Sequence, residues 1–457
     1  MMTRIENKQI KFHMITIENL VPENHFLRKV EQLVDFSFIY EETRNCYCQN
    51  NGRPSIDPVV LVKYLLIGFL YGVASERRIE QEIQVNMAYR WFLGLDLDER
   101  VPDHSTISQN RRRRFQGENV FRRLFEGILR QCMEKGLVKE ELILTDSTHV
   151  KANASFKKNI QIQAERETTG YMERLDVYEA QERTRLENSG AIKPQRTGRA
   201  KKERAKVQRT VSTTDPDAGM LHRPGKPQGM HYLSHQSVDA AHGIVVDVAV
   251  TPGNANDSEP YLERIEYIKN HLGLKIKAAG ADSAYGASLI CRTLEEMGIR
   301  LYTPVATGGA TYKVEFKRED FEYKEEKDCF QCPAGKELTL RSLEREESNI
   351  CRIYRADRRD CHTCSMLSRC VSRSHRSRTI RVNIFEEAVK KQRERDGTPL
   401  HRHILKLRQI WCEGSFAAQK ARHNLKGLLR QGIEAAEEHC LLSATALNLK
   451  RMVKFLG

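Results

Sequence analysis

Near residue 140 the hydrophobic pattern changes from a helical period to a strand period, and the order of elements that follows restricts the fold more than any other feature. Residues 141–146 form a short apolar run, Leu142-Ile143-Leu144, closed by Asp146. Residues 235–240 and 243–250 read as a hairpin closing near Ala241-His242-Gly243. Residues 258–271 read as a capped helix with Leu262, Ile265 and Ile268 on its apolar side. Then come a strand at 275–282, a helix at 287–297, a strand at 300–305 and a later helix.

Strand, hairpin pair, helix, strand, helix, strand is the order of a ribonuclease H-like mixed sheet, in which the first strand lies beside the fourth. The expected class is therefore α/β, preceded by an all-α region. In that region Asp57-Pro58 opens a helix carrying Val59, Leu61, Val62, Leu65 and Leu66. Ser75 is placed to cap a second helix, 76–93, with Ile79, Ile83, Met87 and Phe92 near a helical period. The expected domains are a helical DNA-binding and dimerisation domain at 1–135 and a catalytic domain at 136–457. Two insertions interrupt the latter: a charged arm at 155–227, read as a helical hairpin or mobile segment, and a small cysteine-rich, zinc-ribbon-like unit at 316–380.

A net charge of +14 and a pI near 9.2 favour a polyanionic partner, nucleic acid first. The basic residues cluster at Arg111-Arg112-Arg113-Arg114, at 193–209 and at 369–381. A lone run of this kind more often marks a solvated helix face. Following Pro102-Asp103-His104-Ser105, in a small helical domain, it equally resembles a helix-turn-helix laid on phosphates. The most apolar window, 59–74, contains Lys63 and is too short to span a bilayer comfortably, so no membrane partner is expected. The first six residues lack the apolar stretch of a secretory signal. Half of the 12 cysteines crowd between Cys329 and Cys370, which a reducing cytoplasm with one metal site explains more simply than disulfides.

Three acidic residues carry the chemistry. Asp146 and Asp282 each follow a predicted strand, and Glu413 lies in a basic helical stretch, 405–430. Singly, an Asp after a strand most often makes a turn. Together, on adjacent parallel strands, the two aspartates would meet at the edge where open sheets bind ligands. Carboxylates that close repel unless cations neutralise them, and Mg²⁺ or Mn²⁺ suits such oxygen ligands. Two ions roughly 3.5–4 Å apart can stabilise both the attacking and the leaving oxygen of a phosphoryl displacement. Glu413 is the best-placed third ligand, with Glu386 and Glu387 as weaker competitors. On a helix, Ala417, Lys420 and Asn424 share the face of Glu413, which suits Lys420 to hold a DNA phosphate. Arg408, five residues before Glu413, aligns less well.

These residues resemble the DDE transposases of bacterial insertion sequences, in a branch with an N-terminal helical domain. The resemblance rests on Gly52-Arg53-Pro54 with Asp57-Pro58, Ser75-Glu76-Arg77-Arg78 and Val101-Pro102-Asp103-His104-Ser105-Thr106. It continues through Asp146-Ser147-Thr148 with Ala152-Asn153-Ala154, and Asp282-Ser283-Ala284-Tyr285-Gly286. It ends with Glu413-Gly414-Ser415-Phe416, Lys420 and Gly432. It implies a triad of Asp146, Asp282 and Glu413, binding to terminal inverted repeats and target DNA, and a homo-oligomer in a bacterial, nucleoid-associated setting. Related transposases often carry a Tyr and an Arg at fixed offsets before the glutamate. Lys406 and Gln409 stand there instead, and only Lys420 fits.

Cys329-x-x-Cys332 precedes Cys361-x-x-Cys364 and Cys370, with Cys351 between. Paired C-x-x-C units are a zinc signal, because thiolates at that spacing wrap a tetrahedral ion. The family pattern implies Cys332, Cys361, Cys364 and Cys370, with Cys329 as the alternative first ligand, in a structural site. Arg369, Arg373, Arg376 and Arg378 beside it would face DNA.

The expected function is metal-dependent cleavage at element ends followed by strand transfer. Water attacks first, and the freed 3′-hydroxyl is the second nucleophile. The alternative is a transposase-derived regulator that binds DNA without cutting it.

Overall fold

The computed structural model describes residues 14–48, 55–165, 169–194, 206–222, 228–305, 314–346, 349–372 and 375–457. Gly52-Arg53-Pro54, Arg373 and residues 195–205 of the second basic cluster lie outside the described residues.

The N-terminal region is helical, with helices at Phe26–Leu33, Phe38–Thr43, Pro58–Tyr71, Glu76–Val85, Met87–Leu93, His104–Arg113 and Val120–Glu134. Asp57 caps the third of these, accepting from Val59 N at 2.7 Å, and Gly72 ends it in the left-handed region at φ +70°. That helix is buried almost all round, as its apolar run requires. No single helix among the described residues is long and apolar enough to cross a membrane. The expected helix 76–93 is two helices. Asn86 adopts extended backbone between them, and its side chain accepts from Ala88 N and Tyr89 N, so it starts a new helix where the amphipathic period suggested continuity.

The central sheet contains β1 (Leu142–Lys151), β4 (Gly219–Leu221), β5 (Gly229–Asp239), β6 (Val245–Pro252), β7 (Ala278–Gly280) and β8 (Arg300–Tyr302), while β2 (Asn159–Glu165) and β3 (Lys206–Ser212) form a separate ribbon. β1 pairs antiparallel with β5 and parallel with β7, β7 pairs parallel with β8, and β6 returns beside β5. The first core strand thus lies beside the fourth, in the ribonuclease H-like order. β1 is longer than its apolar run. Its polar half, Asp146-Ser147-Thr148-His149, stays in the ladder because β5 pairs with it from Ile143↔Asp239 to Lys151↔His231.

Among the described residues, 155–227 hold one helix and not a helical hairpin. A 19-residue helix, Gly170–Asn188, is flanked by the β2/β3 ribbon. Its charges are spent on neighbours: Arg174 on Glu266, Asp176 on Arg345 and Glu182 on Arg352, with Tyr178 edge-on to Phe385. The cysteine-rich insertion is a five-stranded antiparallel sheet of β9 (Glu322–Lys324), β10 (Cys329–Gln331), β11 (Glu337–Glu346), β12 (Asn349–Ala356) and β13 (Thr379–Asn383).

The C-terminal helix, Ile433–Leu456, joins the two halves. It packs on β6, on Val120–Glu134 and on Pro58–Tyr71, within one hydrophobic cluster that runs from Leu27 to Met452. Buried Asn448 fastens it to β6 by accepting from Val245 N and donating to Val245 O, both at 2.8 Å.

Candidate active site

The register of β1 and β7 brings the aspartates together. Leu144 pairs with Gly280, so two residues further on Asp146 and Asp282 stand at the same level of adjacent parallel strands. Asp146 is not at a strand end as expected, but in mid-strand just beyond the reach of β7. Asp282 lies two residues past the end of its strand, and its Oδ1 accepts from Ala284 N at 2.8 Å to start the short turn Ser283–Tyr285.

Glu413 arrives on a helix pressed against the strands. A Cβ at Gly280 would stand 2.6 Å from Ile404 Cγ2 and 2.8 Å from Leu144 Cδ2, so glycine allows the Pro399–Arg408 helix to approach β7 this closely. After Arg408 the helix opens into a π turn, Gln409–Glu413, before resuming as Gly414–Arg422. Trp411 seats the turn on Gly243 of the β5–β6 hairpin, where a Cβ would stand 2.2 Å from its ring. Arg451 lies over the Trp411 ring and hydrogen-bonds both Gly243 O and Ser415 Oγ.

The π turn corrects the expectation for Arg408. Residues five apart meet across such a turn, and Arg408 bridges the acids: Nη1 lies 2.7 Å from Asp146 Oδ2 and Nη2 lies 3.4 Å from Glu413 Oε1. Asp146 is mostly buried, and that burial pushes its pKa up. Arg408 and the Ser147 N–H act against the rise, while the charges of Asp282 and Glu413 add to it. All three acids therefore lie within electrostatic reach of one another. Hard divalent cations fit this oxygen-only set, which already has more negative charge than one arginine balances.

Lys420 follows Glu413 by two helical turns and donates to Thr148 Oγ1 at 2.6 Å, two residues along β1 from Asp146. Asn424 does not share that face. The helix ends at Arg422, and Asn424 takes a left-handed conformation (φ +60°) in which its side chain donates to Gly68 O. A feature with no sequence signal holds the helix to the sheet. Gln236, paired with Asp146 across β1 and β5, exchanges hydrogen bonds of 3.0 and 2.7 Å with Gln419, and Ser443 donates to Gln419 Oε1. All three are fully buried.

The arginine run divides. Arg112 and Arg113 are exposed, and Arg114 stacks on Tyr47. Arg111 is 8% exposed and is held inside the protein by Glu76 and Glu438, so it does not reach a surface where phosphate could bind. Arg112 and Arg430 line a groove of about 890 Å³ beside the start of the C-terminal helix.

In the insertion, Cys332, Cys361, Cys364 and Cys370 lie within electrostatic reach. Burial pushes the Cys361 and Cys370 thiols up, and the other thiols of the set add to the shift. Lys336 N donates to Cys332 Sγ at 3.3 Å. Cys329 is buried on β10 among Glu337, Lys327 and Asp328, and Cys351 lies beside Glu346 and Arg381, both apart from that set. Elsewhere, Glu80, Asp103 and His104 bring ligand atoms within 4.8 Å. His104 N and Nδ1 approach Glu80 Oε2 at 3.0 and 2.6 Å, and Asp103 caps its own helix, so this cluster staples two helices.

Residues 15–113 match the family model described as "Transposase domain (DUF772)", and residues 331–453 match "Transposase DDE domain". The second match spans Glu413 and the four clustered cysteines; Asp146 and Asp282 lie between the two. No curated protein matches. Among solved structures, the cryo-EM structure of piggyBac transposase synaptic complex with hairpin DNA is 7% identical, with a TM-score of 0.35 over 95% of this chain and 76% of that one. Both matches are to transposase domains, the second a DDE domain, and together they support a DDE-type transposase.

Proposed function

We propose that Asp146, Asp282 and Glu413 bind two divalent cations, Mg²⁺ or Mn²⁺, and that the protein cleaves DNA at the ends of its element and transfers them to target DNA. The observation that carries this reading is the shared level of Asp146 and Asp282 on parallel strands, with Glu413 brought beside Asp146 by the π turn. Bound there, the cations would supply charge neutralisation for the attacking and leaving oxygens. The chain's own part is positioning. The strands fix the two aspartates, the Gln236–Gln419 pair fixes the Glu413 helix, and Lys420 offers an ammonium to a phosphate on the Thr148 side. In the first step water attacks an end phosphodiester and a 3′-hydroxyl leaves. In the second that hydroxyl attacks a target phosphodiester and displaces the target's own 3′-oxygen.

The helical segment at 1–135 would bind end DNA and support a homo-oligomer, with Arg112 and Arg113 toward phosphate and the 136–457 segment as the catalytic domain. Cys332, Cys361, Cys364 and Cys370 would hold one structural Zn²⁺, the Lys336 N–H···S bond being of the kind that supports a thiolate.

The test is Mg²⁺-dependent nicking and joining on an oligonucleotide carrying the element end. Asp282→Asn is expected to lower cleavage at least about a thousandfold, because it removes a carboxylate that would hold the charge-neutralising cations, while DNA retention in a gel shift stays near wild type. Normal cleavage by that variant would sink the assignment.

A further inference from the structure

We propose that Arg408 is the resident counter-ion of the acid site, and that a divalent cation binds there by displacing its guanidinium. The inference rests on the metal reading above and concerns what controls loading of that site.

The backbone is built to deliver this arginine. In a regular α-helix, residues five apart point about 140° away from each other, so Arg408 and Glu413 would diverge. The π turn removes that divergence, and one guanidinium then reaches both acids, at 2.7 Å from Asp146 Oδ2 and 3.4 Å from Glu413 Oε1. The turn itself is fixed, with Trp411 packed on Gly243 beneath Arg451. Exchange therefore needs only the side chain to move.

The contact is also incompletely satisfied. Arg408 Nε is buried with no hydrogen-bond partner, and the longer of the two ion pairs ends on a Glu413 side chain that is half exposed. A guanidinium committed for structural reasons would be expected to use that donor. Among the described residues no arginine pairs with Asp282, whose Oδ1 accepts from Ala284 N. An incoming cation thus meets Asp282, which carries no arginine among the described residues, beside Asp146 and Glu413, which share a single positive charge. Binding swaps that charge for a divalent one, and the released guanidinium, on its long stem, is free to turn toward a DNA phosphate.

The consequence is counter-intuitive for a residue at an active site: removing it tightens metal binding. The experiment measures Mn²⁺ binding to the full-length protein without DNA, by electron paramagnetic resonance titration, for wild type, Arg408→Gln, Arg408→Lys and Asp146→Asn. Loss of a like charge within contact distance is expected to tighten Mn²⁺ binding of Arg408→Gln about tenfold. Arg408→Lys, which keeps the cation, is expected to stay within about twofold of wild type. Equal or weaker binding by Arg408→Gln, with binding by Asp146→Asn weakened, overturns the exchange and leaves the metal reading standing. Equal tightening by Arg408→Lys overturns it too, since shape and not charge would then be responsible. Identical Mn²⁺ binding by wild type, Arg408→Gln and Asp146→Asn overturns the metal reading itself.

Discussion

Arg111 and Arg408 make the same contact in two settings. Each is an arginine laid between two acids that are distant in sequence, Glu76 and Glu438 for one and Asp146 and Glu413 for the other. Around Arg111 the guanidinium and one acid are buried: Glu438 is 7% exposed and is shared with Arg430, His439 lies against the same cluster, and Glu76 is only partly exposed. Around Arg408 one acid faces solvent and one donor is unsatisfied. The first arrangement clamps the His104–Arg113 helix to the C-terminal helix. The second sits where the acids remain reachable. Burial, rather than the ion pair, separates a strut from a site.

The sharpest way to break the comparison is to remove each arginine in turn. Arg111→Ala leaves Glu438 to Arg430 alone and Glu76 without its arginine in a mostly buried interface, and is expected to lower unfolding free energy by about 3–5 kcal/mol. Arg408→Ala, one of whose acids, Glu413, reaches water, should cost less, about 1–2 kcal/mol. Urea denaturation of both variants reads the difference. Similar losses would mean that the two clusters are of one kind.

Protonation distinguishes the two sides next. Burial holds the His439 pKa down to about 4, opposed by the hydrogen bond from its Nε2–H to Asn424 O and aided by the charge of Arg111 nearby. A depressed histidine pKa means the folded state prefers the neutral ring. Its contribution is complete above the unfolded value near 6.5 and is lost as pH falls through the window toward 4. At pH 5 the loss should be on the order of 2 kcal/mol. His439→Gln should flatten the slope of stability between pH 6.5 and 4, measured by denaturation at stepped pH. An unchanged slope would place the acid sensitivity elsewhere.

Much of this architecture was legible because periodicity reports burial. The strand order and the levels of the two aspartates follow from apolar runs that end in Asp146 and Asp282. The polar half of β1 was not legible, since its ladder partner supplies the order that its own residues do not signal. The charged segment around Gly170–Asn188 read as a helical hairpin or a mobile arm because its partners are single charges on Glu266, Arg345 and Arg352, scattered far along the chain. Arg408 was misjudged because sequence spacing was measured with a 3.6-residue ruler, and a π turn changes the ruler. Arg111 was grouped with its neighbours because four consecutive arginines carry no sign of which one faces inward.

The smallest expected effect concerns the polar pair that holds the Glu413 helix. Gln419→Leu strands the amide of Gln236 in a dry core and is expected to cost about 1–3 kcal/mol. The double variant Gln236→Leu/Gln419→Leu removes both partners, so stability should return to within about 1 kcal/mol of wild type. Cleavage should not return with it. Two leucines fill the volume but do not fix the distance between β5 and the helix as two opposed amides do, and Glu413 depends on that distance. The readout is the Mg²⁺ concentration for half-maximal nicking beside the denaturation midpoint. If the double variant recovers both, the pair is only packing and the acid site is held by the π turn alone. If it recovers stability and not metal response, the region around Arg408 differs from that around Arg111 in a second way: there a buried polar contact sets geometry, whereas around Arg111 it sets stability.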